Sequence, residues 1–262
     1  MELTFENYSQ LKAEGLKRAE IAQKFEIPDW KLKKHIASYG WGKKAPSIKN
    51  ADAFDDYTEQ SCYWAGFIAA DGNVDTKGRI RIMLKYDDMN HLVKFRDFLK
   101  SDHAISTNTT KYNRCSFEFT DINMCEILEL NYNIVPNKTD KYKLPNIPFE
   151  YMRHFIRGYF DGDGSICESF SNKNSITASL YATVASGSKQ FAEALFEYLS
   201  LNLGTGGHLQ KFTDSNKYQL KFNTNDAITL LSWMYGSCST FLDRKYKLYQ
   251  TIVVENIREI KV

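Results

Sequence analysis

"YWAGFIAADGNV" (residues 63–74) and "FIRGYFDGDGSI" (residues 155–166) are two renderings of one pattern. Each sets small residues into an apolar, helix-like run and stops at an aspartate followed by a glycine. In a helix, Gly66 and Ala70 lie four apart on one face, as do Gly158 and Gly162. Small residues at that spacing strip a helix face of bulk and let a second backbone come close. Two such helices in one chain are expected to pack directly on each other. Their last turns then bring together Asp71 and Asp163, which are 92 positions apart (163 − 71). Two carboxylates so placed repel, and each sits at the helix end where the backbone dipole disfavours an anion. A hard divalent cation relieves both effects, and Mg²⁺ commonly takes one or two carboxylates together with substrate phosphate. Gly72 and Gly164 are read as left-handed residues closing the helices.

The surroundings of the motif repeat as well. A helix at about 58–71 leads to "RIRIMLKY", helix "MNHLVKFRDFLK", strand "RCSFEFT" and helix "INMCEILELNY". A helix at about 149–163 leads to "SITASLYATV", helix "SKQFAEALFEYLSLNL", strand "KYQLKFN" and helix "DAITLLSWMY". Each half follows an αββαββα order if a short strand precedes each sharply alternating one, with Ile105–Thr107 and His208–Phe212 as candidates. The halves also end alike, in "NKTDKYKLP" (137–145) and "DRKYKLY" (243–249), the latter inside a final helix "FLDRKYKLYQTIVVENI". The expected class is α+β, with two pseudo-symmetric halves at 57–148 and 149–262.

Alternation along the strands separates two faces. Arg79, Arg81, Met83 and Lys85 oppose Ile80, Ile82 and Leu84; Arg114, Ser116 and Glu118 oppose Cys115, Phe117 and Phe119. In the second half Thr177, Ser179 and Tyr181 oppose Ala178 and Leu180, and Lys217, Gln219 and Lys221 oppose Tyr218, Leu220 and Phe222. By itself this means half-exposed antiparallel sheets. The polar faces, however, are Arg, Lys, Gln, Ser and Thr with few acids, which suits donor and acceptor patterns on base edges in a major groove.

The front of the chain differs from the rest. Net charge is +2 overall, yet residues 1–50 hold ten Lys/Arg against six Asp/Glu, and residues 51–262 hold 24 against 26. Residues 5–41 read as three short helices, the third opened by Asp29 as N-cap with Trp30, Leu32 and Ile36 facing inward. "IAQKFEIPDWKLKKHI" resembles the helix-turn-helix family, with Ala22 at the crossing and Glu26 where that family usually has glycine. Its second helix would offer Lys31, Lys33 and Lys34 to phosphates or base edges. Residues 1–42 are thus a small all-α, DNA-binding segment, and 43–56, without periodicity, a linker. The five cysteines have no close pairing and read as free thiols of a reducing compartment. No apolar run reaches the length of a membrane span, and the opening "MELTFENYSQ" lacks a signal-peptide layout. The expected location is cytoplasmic, or the DNA-containing compartment of the host.

"WAGFIAADG" and "IRGYFDGDG" resemble the two signature motifs of the LAGLIDADG homing endonucleases in their single-chain form, over roughly residues 57–258. The resemblance implies that Asp71 and Asp163 bind catalytic divalent metal, joined by the backbone carbonyls of Ala70 and Gly162. At the motif's earlier acidic position stand Ala69 and Asp161, which the resemblance does not make metal ligands. It further implies a basic residue near each cleavage centre, here Lys138 and Lys245, to stabilise charge on phosphate or polarise water. The implied activity is Mg²⁺-dependent, site-specific cutting of double-stranded DNA across the minor groove, leaving 3′ overhangs. Mn²⁺ is expected to substitute, and Ca²⁺ to bind without supporting cleavage. A monomer suffices, since both halves are in one chain. Two other roles suit the same scaffold: a catalytically inactive transcription regulator, and an intron maturase.

Overall fold

The structure, a computed structural model, describes residues 2–41, 46–170, 178–212 and 217–255. They fall into two units, Met1–Pro46 and Ser47–Val262.

The smaller unit is three helices, α1 (Phe5–Ala13), α2 (Arg18–Lys24) and α3 (Asp29–Ser38), around Tyr8, Leu11, Ile21, Ala22, Phe25 and Leu32. The α2–α3 turn holds Glu26 at φ 56°, the left-handed conformation for which glycine is the natural residue. Two expectations for α3 change. Asp29 is its first residue and no cap; it grips the Arg18 guanidinium through both oxygens at 2.7 Å. Trp30 points outward, 66% exposed, because Leu32 and the partly buried Ile36 already fill the inner face.

In the larger unit α4 (Glu59–Asp71) runs straight into β1 (Gly72–Val74), followed by β2 (Arg79–Lys85), α5 (Met89–Phe98), β3 (Ser106–Asn108), β4 (Arg114–Thr120) and α6 (Ile122–Tyr132). The order then recurs: α7 (Phe149–Asp163), β5 (Gly164–Phe170), β6 (Ala178–Ser186), α8 (Lys189–Leu203), β7 (His208–Lys211), β8 (Tyr218–Asn223) and α9 (Thr224–Tyr235). The last helix is shorter than its apolar pattern promises: α10 (Asp243–Tyr249) opens into a wider turn over Gln250–Glu255. Two antiparallel sheets result, β1-β2-β4-β3 and β5-β6-β8-β7, with Gly72 opposite Ile82 in one and Gly164 opposite Val184 in the other. The inner faces of both sheets and all the helices between them share one apolar core.

The linker is shorter than expected. From Ser47 the chain already belongs to the larger unit: Ile48 bridges Ser101, and Phe54 is buried against Phe98 and Tyr132. An aromatic ring of that size hidden from water anchors its segment.

Candidate active site

Helix α4 starts where Thr58 accepts from the Ser61 amide while Ser61 answers the Thr58 amide, a reciprocal cap. It is buried on all sides from Ser61 to Ala69, as expected of a helix at the centre of a domain. Its partner is α7. A Cβ on Gly66 would collide with the carbonyl oxygen of Phe155 and lie 2.9 Å from the Tyr159 nitrogen; a Cβ on Gly158 would strike the Tyr63 carbonyl oxygen and lie 2.9 Å from the Phe67 nitrogen. The two glycines are therefore mirror uses of one device, each admitting the other helix's backbone.

The crossing continues to the helix ends. A Cβ on Gly162 would meet the Ala70 Cβ at 2.5 Å and stand 3.5 Å from the Asp71 carboxyl carbon. The last turns thus bring Asp71 beside the segment that ends at Asp163. Gly72 and Gly164 do not close their helices in the left-handed region: both are extended, at φ −82° and −95°, and begin β1 and β5. They are glycines for space instead. A Cβ on Gly72 would come within 2.7 Å of the Ile68 Cα, and one on Gly164 would overlap the Phe160 ring.

The electrostatics follow from that meeting. Loss of solvent and then the neighbouring Asp71 push the Asp163 carboxyl up to about 6, against the pull of Lys245, Lys138 and Lys217. Desolvation raises Asp71 as well, opposed by Lys245, Arg244 and Lys138. Both expected lysines are present and face inward. Lys138, 8% exposed, donates to the Gly72 carbonyl at 2.6 Å. Lys245, 3% exposed, donates to the carbonyls of Phe160 (2.5 Å), Asp161 (2.8 Å) and Gly164 (2.6 Å). Helix C-termini leave carbonyls without intrahelical partners, and their negative dipole end attracts an ammonium. Burial drops both lysines to about 8. They neutralise the acidic ends from within rather than reaching outward.

Each lysine-bearing segment also touches the opposite half. Arg244 pairs with Asp88 at 3.1 Å and Asp243 with Lys94 at 2.6 Å, while Thr139 fills the space beside Gly187. A cleft of about 480 Å³ opens at Asp163, bounded by Ala70, Thr139, Asp140, Ser186, Gly187 and Lys217. Among the described residues no group of three or more His, Cys, Asp or Glu side chains converges. The oxygens at the centre are two carboxylates and helix-end carbonyls, a hard donor set that fits Mg²⁺ with phosphate completing its shell. It offers none of the histidine nitrogens or cysteine sulfurs around which zinc sites are mostly built.

Residues 150–231 match the family model of the LAGLIDADG-like domain. A sequence search among curated proteins finds no match. Solved structures superpose over both halves. One is the I-LtrWI LAGLIDADG homing endonuclease bound to target DNA: 10% identity, 78% of this chain, 91% of that one, TM-score 0.51. Another is LAGLIDADG homing endonuclease I-GzeII in complex with DNA target: 13%, 79%, 93% and 0.52. A third is I-SmaMI bound to uncleaved DNA target in the presence of calcium ions: 13%, 76%, 92% and 0.50. The larger unit has the LAGLIDADG fold. At these identities the likeness is one of fold, and what the site does rests on its own residues.

The outer faces of the two LAGLIDADG sheets carry the expected polar residues. Arg79, Lys85 and Arg114 are exposed, and Arg81 and Ser116 half-buried. Two of these arginines have acidic partners: Arg79 with Asp75 at 3.1 Å and Arg81 with Glu118 at 3.4 Å. On the second sheet Ser179, Tyr181, Gln219 and Lys221 are half-buried and Lys217 exposed, with Lys221 standing 3.8 Å over the Tyr181 ring. Thr177 lies outside the described residues. In the smaller unit Lys31, Lys33 and Lys34 are all exposed on α3.

Sequence reasoning missed the polar groups that back this centre. Asp161, to which the resemblance gives no metal-binding part, is completely buried and accepts from Tyr63 Oη (2.6 Å), Tyr235 Oη (2.5 Å) and the Leu242 amide (2.7 Å). Arg157, four residues earlier and also fully buried, donates to the carbonyls of Thr240 and Met234 and to Glu59. An acid and a base four apart within an apolar helix was the available signal, since neither is buried without partners.

Proposed function

We propose that the protein is a site-specific, double-strand DNA endonuclease. The observation that carries this reading is the meeting of Asp71 and Asp163 at the joint end of two glycine-locked helices, each backed by a buried lysine. A protein that only bound DNA would gain nothing from carboxylates gathered where phosphates approach. Asp71 and Asp163, with the carbonyls of Ala70 and Gly162, would hold divalent metal, Mg²⁺ foremost. When bound, such a cation supplies Lewis-acid activation of water and offsets charge on the phosphate. The chain's own residues do the rest. Lys138 and Lys245 keep the helix ends and their acids in place and lower the local negative charge. Arg79, Arg81, Lys85, Arg114, Ser116, Ser179, Tyr181, Lys217, Gln219 and Lys221 lie along the duplex, reading bases or gripping phosphates. Lys31, Lys33 and Lys34 add contacts from the helical segment. The cut crosses the minor groove and leaves 3′ overhangs, and the working form is a monomer. Mn²⁺ substitutes; Ca²⁺ supports binding alone, in line with the calcium-containing, uncleaved I-SmaMI complex.

The test is digestion of a randomised duplex library in Mg²⁺ with and without EDTA, followed by sequencing of the ends. Metal-dependent ends that converge on one long site with uniform 3′ overhangs are expected. The double variant Asp71→Asn, Asp163→Asn should bind that site and cut neither strand. Selection of a site by binding, with no cutting by the wild type in Mg²⁺ or Mn²⁺, would instead make the protein a DNA-binding regulator.

A further inference from the structure

The two motif helices share the glycines of their crossing, Gly66 and Gly158, but not their buried polar groups. Where α4 has Ala65 and Ala69, α7 has Arg157 and Asp161. The three donors to Asp161 come from different parts of the unit: Tyr63 from α4, Tyr235 from α9, and the Leu242 amide from the residue that caps α10. Three residues beyond Leu242 stands Lys245, whose ammonium returns to the backbone of Phe160, Asp161 and Gly164. The Asp161 carboxylate therefore closes a loop: side chain to the start of α10, then α10 back to the end of α7, where Asp163 sits. The first half closes without this device. Ala69 has no side-chain acceptor, and among the described residues Lys138 has one carbonyl partner, Gly72, where Lys245 has three.

We propose that Asp161 is a positioning residue for one of two unequal cutting centres, setting Lys245 against the Asp163 end of α7 and so governing the rate on a single DNA strand. This rests on the nuclease reading above. The fold itself does not require a carboxylate here, because the matching helix packs with alanine in its place. What the carboxylate adds is a fixed entry to α10. A charged acceptor taking one amide and two hydroxyl donors leaves little freedom in that turn. Loosening it displaces Lys245, and displacements of about 1 Å at a reacting centre cost up to about a hundredfold in rate.

The experiment uses the target recovered from the library, as an end-labelled duplex and in a supercoiled plasmid, with each strand's cutting followed separately. Lys245→Met and Lys138→Met first show which strand answers to which half. Asp161→Asn keeps the shape and one acceptor oxygen. It should slow the Lys245-dependent strand about tenfold and leave the other strand and the Kd in Ca²⁺ within about twofold, so that nicked plasmid accumulates. Tyr235→Phe, which keeps the carboxylate and removes one donor, should slow the same strand less, and serves should Asp161→Asn fail to fold. Equal slowing of both strands in step with a lowered Tm would make Asp161 a stabilising residue only and overturn the proposal. Unchanged rates on both strands would overturn it equally. A wild type that leaves both strands intact would overturn the nuclease reading and this role with it, a result distinct from either.

Discussion

The two halves of the larger unit solve one packing problem identically and a second differently. At the crossing, Gly66 and Gly158 do the same job in the same way, each giving its place to the other helix's carbonyl. Beside these glycines and one turn on, α4 has Ala65 and Ala69 where α7 buries Arg157 and Asp161, each hydrogen-bonded to several other elements. Backbone contact tolerates no alternative, so it repeats. Side-chain contact has many solutions of similar free energy, and there the halves have parted.

The sharpest way to break this comparison is at the crossing. Gly66→Val and Gly158→Val should each destabilise by about 5 kcal/mol or more, beyond ordinary core substitutions, because the obstacle is main chain that cannot move aside. Thermal or urea unfolding should place the two variants close together. A large difference between them would mean the crossing is not symmetric after all.

The next effect separates the halves in acid. Burial drops His91, which lies against Trp64 and Phe67 and faces the Tyr63 hydroxyl, to about 3, and drops His154 of α7 to about 4. The unfolded chain takes up these protons near pH 6.5, so their contribution is complete above that pH and is lost as pH falls from 6.5 toward 3. For His91 the loss approaches about 4 kcal/mol near pH 3. Urea unfolding from pH 7 to 4 should show this decline, and His91→Gln should flatten it more than His154→Gln does.

A smaller contrast lies in the lysines. Lys245→Met removes three hydrogen bonds to main-chain carbonyls and Lys138→Met one, so the former should cost more stability, by about 1–3 kcal/mol in urea unfolding at pH 7. The smallest effect concerns the helical segment. Glu26→Gly relieves a left-handed residue and should stabilise residues 2–41 by about 0.5–1 kcal/mol, seen as slower amide exchange in α2 and α3.

Much of this was legible because it is periodic. Helix spacing exposed the doubled glycines, and strand alternation exposed the two faces of β2, β4 and β8. Strands β1 and β5 were not, since Gly72 and Gly164 look like helix stops and nothing local says that a strand begins on the stop itself. Their glycines answer to the Ile68 backbone and the Phe160 ring, a matter of crowding that no propensity records. In the site, Asp71 and Asp163 were marked by repetition. The partners of Asp161 were not: Tyr235 and Leu242 lie 74 and 81 residues from it, and only the folded chain brings them to one carboxylate. Nor does a pattern of residue types say that a lysine near an acid will turn inward to the main chain.

The glycine crossing has one more consequence. Where main chain meets main chain at Gly66 and Gly158, the contact carries no signature of either half, for a carbonyl looks the same whichever protein supplies it. The polar outer faces of the two sheets, which differ between the halves, lie away from that crossing. The unit is thus partitioned into a generic joint and two individual surfaces. A half taken from another protein of this fold, with a glycine at the same turn and partners for Arg157 and Asp161, would meet the joint it is built for and bring its own surface with it.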